Sequence, residues 1–245
     1  MGRPAPIEIL DWADSTNAEA RRRAEAGEAG PLWIAARRQT EGRGRRGRAW
    51  SMGEGDLAAT LLTVTDRPPA EAAQVSFITA LAVADLVQTW LKPESVRLKW
   101  PNDVMADGRK LAGILIESGK RDDGRLWLAV GVGVNLAQAP AETERPATSI
   151  AGVTGRAPPL ASALETLAQR FAVWSDIWRD FGFAPIADAW TQRAYGLGQQ
   201  CIARLGSETV VGVAEGLEAD GALRLRLADA RLRRISAGDV FFEEA

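Results

Sequence analysis

The sequence contains no histidine, one cysteine and only four lysines among its 30 basic residues. The absence of histidine excludes a histidine general base, a histidine metal site and a Ser-His-Asp triad. With Cys201 as the only thiol, no intramolecular disulfide can form, which suits a reducing compartment. Catalysis would therefore depend on arginine, lysine, aspartate, backbone amides or a metal that arrives with a ligand.

The chain also lacks a large excess of charge. Its formal net charge of −2 weighs against a whole-protein attraction to nucleic acid or to an anionic membrane. The N-terminus, with Asp11 and Asp14, lacks the pattern of a signal peptide, and we expect no stretch to approach the length that spans a bilayer. At 245 residues and 46% hydrophobic composition, the sequence predicts a cytoplasmic protein with one sizeable core and a small second domain.

The most informative segment is the glycine-arginine loop, residues 39–50, which reads QTEGRGRRGRAW and contains Arg43, Arg45, Arg46 and Arg48. Its three glycines let backbone amides approach a ligand, and guanidinium groups bind phosphate or carboxylate through paired hydrogen bonds. A small-molecule anion site is one interpretation of this loop. A solvated basic loop and a site for single-stranded nucleic acid are the alternatives. The slightly acidic balance of the whole chain weakens the last of these.

Apolar periodicity and turn residues predict an α+β chain. Strands are predicted at Leu32–Gln39, Leu57–Val64, Val96–Lys99, Lys110–Glu117 and Leu126–Asn135, and helices at Asn17–Ala26, Pro68–Trp90, Pro158–Phe181 and Ala184–Ala194. The short turn at Arg121–Gly124 implies that the strands on either side of it pair in antiparallel fashion. We expect the long helix from Pro68 to cover one face of the sheet, the aromatic residues of Pro158–Phe181 to pack in the core, and Pro140–Pro146 to form a loop.

The composition changes at Gly196–Gly198. From there, four short β segments predict a small all-β barrel, at Cys201–Leu205, Thr209–Leu217, Ala222–Leu227 and Arg231–Ile235. We therefore divide the chain into residues 1–196 and 197–245.

Polar residues lie beside two of the predicted apolar strands. Pro101 favours extended backbone before it and directs Asn102 and Asp103 into a loop, although Asn-Asp is also an ordinary turn. Lys110 begins a strand that is otherwise apolar on both faces, where a cation would stabilise charge on a ligand held over the sheet. A surface lysine that lies along apolar neighbours fits the same pattern.

Residues 131–136, GVGVNL, invite a dinucleotide-binding interpretation, which fails. Leu136 stands where the third glycine should be, and the motif lies in a strand rather than before a helix. Its glycines more plausibly leave room on the sheet for a bound ring. The sequence also contains no P-loop motif.

Taken together, five segments resemble the biotin protein ligase family in order and spacing. They are residues 14–17, Gln39–Trp50, Lys99–Asp103, Lys110–Glu117 and Gly131–Leu136, and the similarity continues through the C-terminal β segments. The resemblance implies a mixed, largely antiparallel sheet covered by helices, as in class II synthetases, followed by an SH3-like barrel. Because Ser15 follows the start almost immediately, the chain resembles the ligase-only form, without the DNA-binding domain of family members that double as repressors.

The resemblance also implies residue roles. It implies a biotin site at Ser15, Thr16, Asn17, Gln39, Arg43, Gly44, Arg45, Lys110 and Gly113, and an ATP or adenylate site at Arg43, Arg45, Arg48, Trp50, Asn102, Lys110 and Asn135. Lys110, Arg45 and Asp103 are the implied catalytic residues. ATP brings Mg²⁺, no metal is held by the protein alone, and the acceptor is the biotin carboxyl carrier domain of a biotin-dependent carboxylase. We expect no DNA and no membrane as partner.

Rival interpretations remain at this stage. A lipoate ligase of the same superfamily performs the same adenylation and lysine transfer, and a nucleic-acid-binding module would use the arginines on phosphates. Ser15 or Thr16 would also serve as a helix N-cap, and Trp50 would pack the loop. A strand edge at Leu126–Asn135 offers a route to a homodimer. The barrel carries no evident chemical group, so packing and ligand docking stay equally open for it.

Overall fold

A computed structural model describes residues 2–141 and 146–242. The strands are β1 (Ile7–Leu10), β2 (Leu32–Ala36), β3 (Leu57–Thr65), β4 (Val96–Lys99), β5 (Asp103–Ala106), β6 (Arg109–Lys120), β7 (Leu126–Val134), β8 (Gln200–Arg204), β9 (Thr209–Leu217), β10 (Leu223–Arg226), β11 (Leu232–Ile235) and β12 (Asp239–Phe242). The helices are α1 (Thr16–Glu25), α2 (Pro69–Ala72), α3 (Val75–Val87), α4 (Ile150–Thr154), α5 (Leu160–Phe181) and α6 (Ala184–Gln192).

The first seven strands form one sheet in the order β1-β2-β3-β7-β6-β5-β4. Only β1 and β2 pair in parallel, and the other neighbours are antiparallel, including the β6–β7 hairpin predicted from its turn. The sheet is apolar on both faces at its centre because helices pack against both sides of it. Helices α3 and α5 cover one face, and α1 covers part of the other. The predicted α+β class is confirmed.

Helix α3 is the most deeply buried element of the core. Eleven of its residues are buried, which follows from a sequence that is apolar around the whole helix. The stretch Pro69–Val87 satisfies the length and hydropathy of a membrane span, so our expectation that no stretch approaches this length was wrong. Because 72% of that stretch is buried inside the protein, it is accounted for as a core helix. The single long helix predicted from Pro68 is divided between α2 and α3.

The last five strands form a second antiparallel sheet in the order β11-β10-β9-β8-β12. This C-terminal β domain is fastened to the main sheet near β4. The Trp100 indole N–H donates to the Gly221 carbonyl at 3.1 Å, and Phe242 of the β domain packs edge-on against Tyr195. The β domain therefore lies beside the loop that follows β4.

Several sequence predictions need correction. β7 hydrogen-bonds to β3 on one side and β6 on the other, so Leu126–Asn135 is not a free edge for a homodimer. Asp103 opens strand β5 instead of lying in a loop, because it pairs with Lys99 across a tight hairpin. Phe181, expected in the core, is 74% exposed because α5 ends there. Strands β1, β5 and β12 and helix α4 were not predicted, and part of the predicted loop, 142–145, lies outside the described residues.

Candidate active site

A cavity of about 380 Å³ opens on the face of the sheet that α1 only partly covers. Its floor is a row of small residues, Ala58, Gly133 and Gly113, which are direct neighbours on β3, β7 and β6. The cavity is lined by every residue that the sequence analysis placed in the site: Ser15, Thr16, Asn17, Gln39, Arg43, Gly44, Arg45, Arg48, Trp50, Asn102, Asp103, Lys110, Gly113 and Asn135. The structure thus gathers these residues around one space, and their individual roles remain predictions.

One end of the cavity is a buried polar network at the start of α1. Ser15 is the N-cap, and its hydroxyl accepts the Ala18 N–H at 3.4 Å, so the capping role is present. The backbone N–H of Thr16 donates to Gln39 Oε1 at 3.0 Å. The Asn17 amide donates to Glu117 at 2.8 Å and accepts from the Thr60 hydroxyl at 2.7 Å. These fixed donors and acceptors suit a small polar ring more than a hydrocarbon chain.

The glycine-arginine loop is folded as a hairpin over the opposite end. Gly44 N–H donates to the Arg48 carbonyl at 2.7 Å, and Trp50 N–H donates to the Gly42 carbonyl at 2.9 Å. The Trp50 indole lies on the floor, where a Cβ added to Gly133 would overlap it. The ring that the strand glycines accommodate in this structure is therefore the protein's own.

Lys110 and Asp103 form an ion pair beside Trp50. Lys110 Nζ is 2.6 Å from Asp103 Oδ1 and 5.5 Å from the centre of the Trp50 ring. Strands β5 and β6 bring the two side chains together, and the Asp103 side chain is the less exposed of the two. Next to them, the Asn102 amide donates to the Ile114 carbonyl at 2.7 Å and so fixes the turn between β4 and β5. The site thus combines a buried carboxylate with a cation that reaches the cavity.

Sequence reasoning missed Asp239, which the β domain contributes to the cavity. Its carboxylate lies 3.0 Å from Arg48, 3.3 Å from Arg46 and 3.6 Å from Arg45. Burial alone would raise the pKa of Asp239, but the charges of Arg48 and Arg45 outweigh it and hold the pKa below its usual value. Burial lowers the pKa of Arg45, and the charges of Asp239 and Asp103 oppose that effect. No local signal marks Asp239, because it is 191 residues from Arg48 along the chain.

Comparison with known proteins identifies the family. A model of the biotin/lipoate A/B protein ligase family matches residues 12–135, and a model of the biotin protein ligase C-terminal domain matches residues 196–243. The chain belongs to the biotin/lipoate A/B protein ligase family. A biotin–[acetyl-CoA-carboxylase] ligase of Paracoccus denitrificans is 44% identical to this family member. The match covers 96% of the present chain and 99% of the Paracoccus enzyme. A Mycobacterium tuberculosis enzyme of the same name is 32% identical, and the match covers 96% of the present chain and 88% of that enzyme.

Solved structures agree with this family assignment. The biotin protein ligase from Aquifex aeolicus in complex with biotin and ATP superposes with a TM-score of 0.80, at 24% identity, and the match covers 98% of this chain and 99% of that one. The Leishmania major biotin protein ligase in complex with biotinyl-5-AMP superposes with a TM-score of 0.66 at 25% identity. This match covers 96% of the present chain and 100% of the Leishmania chain. The fold of this family member, including its C-terminal β domain, is thus that of biotin protein ligases.

Thr60 offers a first test of the polar network in this family member. It is fully buried in β3, and Thr60→Val keeps its shape while removing the hydroxyl that bonds to Asn17. We expect biotin affinity to fall by up to about tenfold, because without this hydroxyl the Asn17 amide is no longer held in one orientation toward the cavity, and one hydrogen bond contributes about 1 kcal/mol. Titration calorimetry with biotin measures the effect. Thr63→Val, on the opposite face of the same strand, is the control, and unchanged affinity in Thr60→Val would contradict the prediction.

Asp56 offers a test of how the cavity walls are held. Its buried carboxylate accepts hydrogen bonds from the backbone N–H groups of Gly53 at 2.9 Å, Ala137 at 2.8 Å and Gln138 at 3.1 Å. These bonds join two loops, one after the glycine-arginine loop and the other after β7. We expect Asp56→Ala to lower the free energy of unfolding by about 2–4 kcal/mol, since three donors lose a charged acceptor. Urea denaturation checks this, with the exposed neighbour Glu54→Ala as control. Equal stability of the two variants would contradict it.

Proposed function

We propose that the chain activates biotin with ATP to biotinyl-5′-AMP and pyrophosphate, and then transfers biotin to a lysine of a carrier domain. The observation that carries the proposal is the convergence of three groups on one cavity. These groups are the polar network at α1, the glycine-arginine loop and the Lys110–Asp103 pair. The family assignment and the near full-length similarity to biotin–[acetyl-CoA-carboxylase] ligases support the same reaction.

In the first step, two anions must meet. A biotin carboxylate oxygen attacks the α-phosphorus of ATP, the bond from that phosphorus to the bridging oxygen breaks, and pyrophosphate leaves with the electron pair. Lys110, Arg43, Arg45 and Arg48 line the cavity, and we expect Lys110 to neutralise both the carboxylate and the α-phosphate while the arginines bind the phosphates. The polar network holds the ureido ring at the other end. We expect the glycine-arginine loop, which folds over the cavity, to protect the mixed anhydride from water.

In the second step, a carrier lysine attacks the acyl carbon and AMP leaves. In the ligand-free protein, Lys110 is paired with Asp103. When Lys110 turns to the acyl phosphate, the Asp103 carboxylate becomes available to accept a proton from the incoming ammonium group. The same ion pair therefore determines the sequence of the two steps. Asp103 stays paired with Lys110 until Lys110 binds the substrate anion, and only then can Asp103 accept a proton.

ATP would enter as its Mg²⁺ complex. Mg²⁺ usually keeps several waters and binds through substrate phosphates with one or two protein oxygens. Among the described residues, no group of three His, Cys, Asp or Glu side chains forms a metal site, but Asn102 Oδ1 and the Asp103 carboxylate line the cavity. The Asn102 oxygen fits an ion that arrives with the nucleotide and offsets phosphate charge.

The partner and the setting follow from the same chemistry. We expect the acceptor to be the biotin carboxyl carrier domain of a biotin-dependent carboxylase, in the cytoplasm, with neither DNA nor a membrane as partner. We place the division between the catalytic and C-terminal domains at residues 196 and 197, next to the start of the matched C-terminal domain model. A homodimer remains a hypothesis that would need an edge other than β7.

The deciding experiment is ATP–pyrophosphate exchange with biotin, with lipoate and without an added acid. Exchange that depends on biotin is the expected result, because Ser15, Thr16 and Asn17 line the cavity and can hydrogen-bond a ureido ring, whereas the dithiolane ring of lipoate forms no such bonds. Exchange with lipoate alone would keep the reaction class and overturn the substrate. If neither acid supports exchange, the proposal fails, and a salt titration of oligonucleotide binding would test the nucleic-acid alternative.

A further inference from the structure

A cluster of three arginines surrounds Asp239 at the cavity. One carboxylate from the β domain, only 12% exposed at its side chain, contacts three arginines of the glycine-arginine loop. The contact is reinforced by the backbone, because Arg45 also donates to the Gly238 carbonyl at 3.1 Å. A second hydrogen bond joins Arg45 to Asn102 Oδ1 at 3.4 Å. Arg45 is therefore held between the β domain and the turn that leads to Asp103.

The three arginines need such a partner. Arg45, Arg46 and Arg48 lie within four consecutive positions, and like charges this close repel each other and favour dispersed side chains. The hairpin bonds of the loop fix its backbone, and the Arg48 side chain also donates to the Arg45 carbonyl at 3.3 Å, but Asp239 is the carboxylate that all three guanidinium groups share. Asp239 offsets one of the three charges and leaves the cluster with a net attraction for phosphate. The guanidinium groups are thus already oriented toward the cavity before an anion binds.

We infer that Asp239 is a positioning residue for the adenylation step, acting through Arg45 and Arg48. This inference rests on the proposed function and deepens it, because it assigns the C-terminal β domain a task in the first step and not in the second. The arginines are needed when pyrophosphate charge develops. Once the adenylate exists and pyrophosphate has left, the transfer to lysine depends on Lys110 and Asp103.

Attachment of the β domain does not account for Asp239, since the domain has other anchors. The Trp100 indole donates to the Gly221 carbonyl at 3.1 Å. Phe242 packs edge-on against Tyr195 with ring centres 5.6 Å apart. Removing the Asp239 charge leaves these contacts in place. The domain is therefore expected to stay attached, whereas the guanidinium groups of the arginines are no longer held in one orientation.

The test compares Asp239→Asn, which keeps the shape of the side chain, with Asp229→Asn. Asp229 lies in the same domain, is half-exposed and pairs with Arg231 within its own turn. Two reactions are measured for each variant: biotin-dependent ATP–pyrophosphate exchange at varied ATP, and transfer to the carrier domain from chemically supplied biotinyl-5′-AMP. For Asp239→Asn we expect the KM for ATP to rise about tenfold or more, with transfer within about twofold of the parent. Asp229→Asn should match the parent in both.

Four results would overturn the inference. An unchanged KM for ATP would show that the arginines are aimed without Asp239, and a lower KM would show that the carboxylate competes with phosphate. Equal losses in exchange and in transfer would indicate a general structural role. Asp239→Glu, which keeps the charge, is expected to recover most of the exchange, and an Asp239→Glu variant as impaired as Asp239→Asn would also contradict the inference. The parent protein must show exchange first, so failure of the proposed function is recognised separately.

Discussion

Lys110→Ala is expected to reduce biotin-dependent ATP–pyrophosphate exchange by about 10²-fold to 10³-fold. Lys110 is the proposed partner of both the biotin carboxylate and the α-phosphate, and its Nζ pairs with Asp103 at 2.6 Å. Without it, the charge that accumulates at phosphorus loses a preorganised partner inside a partly closed cavity. The loss should appear mainly in kcat, because the interaction strengthens as the transition state forms.

The matched control for this prediction is Lys120→Ala, at the exposed far end of the same strand. It removes an identical charge from β6 without touching the cavity and should leave exchange unchanged. Thermal unfolding of both variants separates catalysis from stability, because Lys110→Ala also leaves the mostly buried Asp103 carboxylate without this cation. Exchange in Lys110→Ala within about threefold of the parent, in a folded protein, would refute the assigned role.

The residues around the cavity were accessible from sequence because their signals are local. Glycine among arginines, a lysine at the start of an apolar strand and a Ser-Thr-Asn helix start each carry a physical reason within a few residues. The sheet then brings them together through register: Gly113 and Gly133 are direct neighbours, and Trp50 lies on both. Identifying the segments, together with the family resemblance, was therefore enough to name much of the lining that residues 1–196 contribute.

What sequence reasoning missed depends on contacts between distant parts of the chain. Asp239 is one acidic residue near a chain end, and its pairing with Arg48 exists only because the β domain is fastened beside Trp100. Strand β5 is only four residues long and follows a turn motif, so its periodicity is too brief to recognise. The exclusion of Leu126–Asn135 as a sheet edge required the strand order, which no local pattern contains.

Asp103→Asn should separate the two steps of the reaction. The amide keeps the shape of the side chain and its place at the start of β5, so Lys110 remains free to serve the adenylation step. We expect exchange to stay within about tenfold of the parent, whereas transfer to the carrier domain falls by about 10²-fold to 10⁴-fold. Asp107→Asn, in the exposed turn between β5 and β6 at a left-handed position that asparagine tolerates, is the control.

The pH dependence of transfer distinguishes a proton acceptor from a packing residue. A lysine amine has a pKa of about 10.4, so its reactive neutral form increases about tenfold with each pH unit below that value. The parent, with Asp103 to accept the proton, should transfer biotin with a shallow pH dependence near neutrality. Asp103→Asn should depend on amine that is already neutral, and its transfer rate should therefore rise steeply between about pH 7 and 9 and recover part of the loss. Parallel pH profiles for the two proteins, or an equal loss in both steps, would show that Asp103 acts only by holding Lys110.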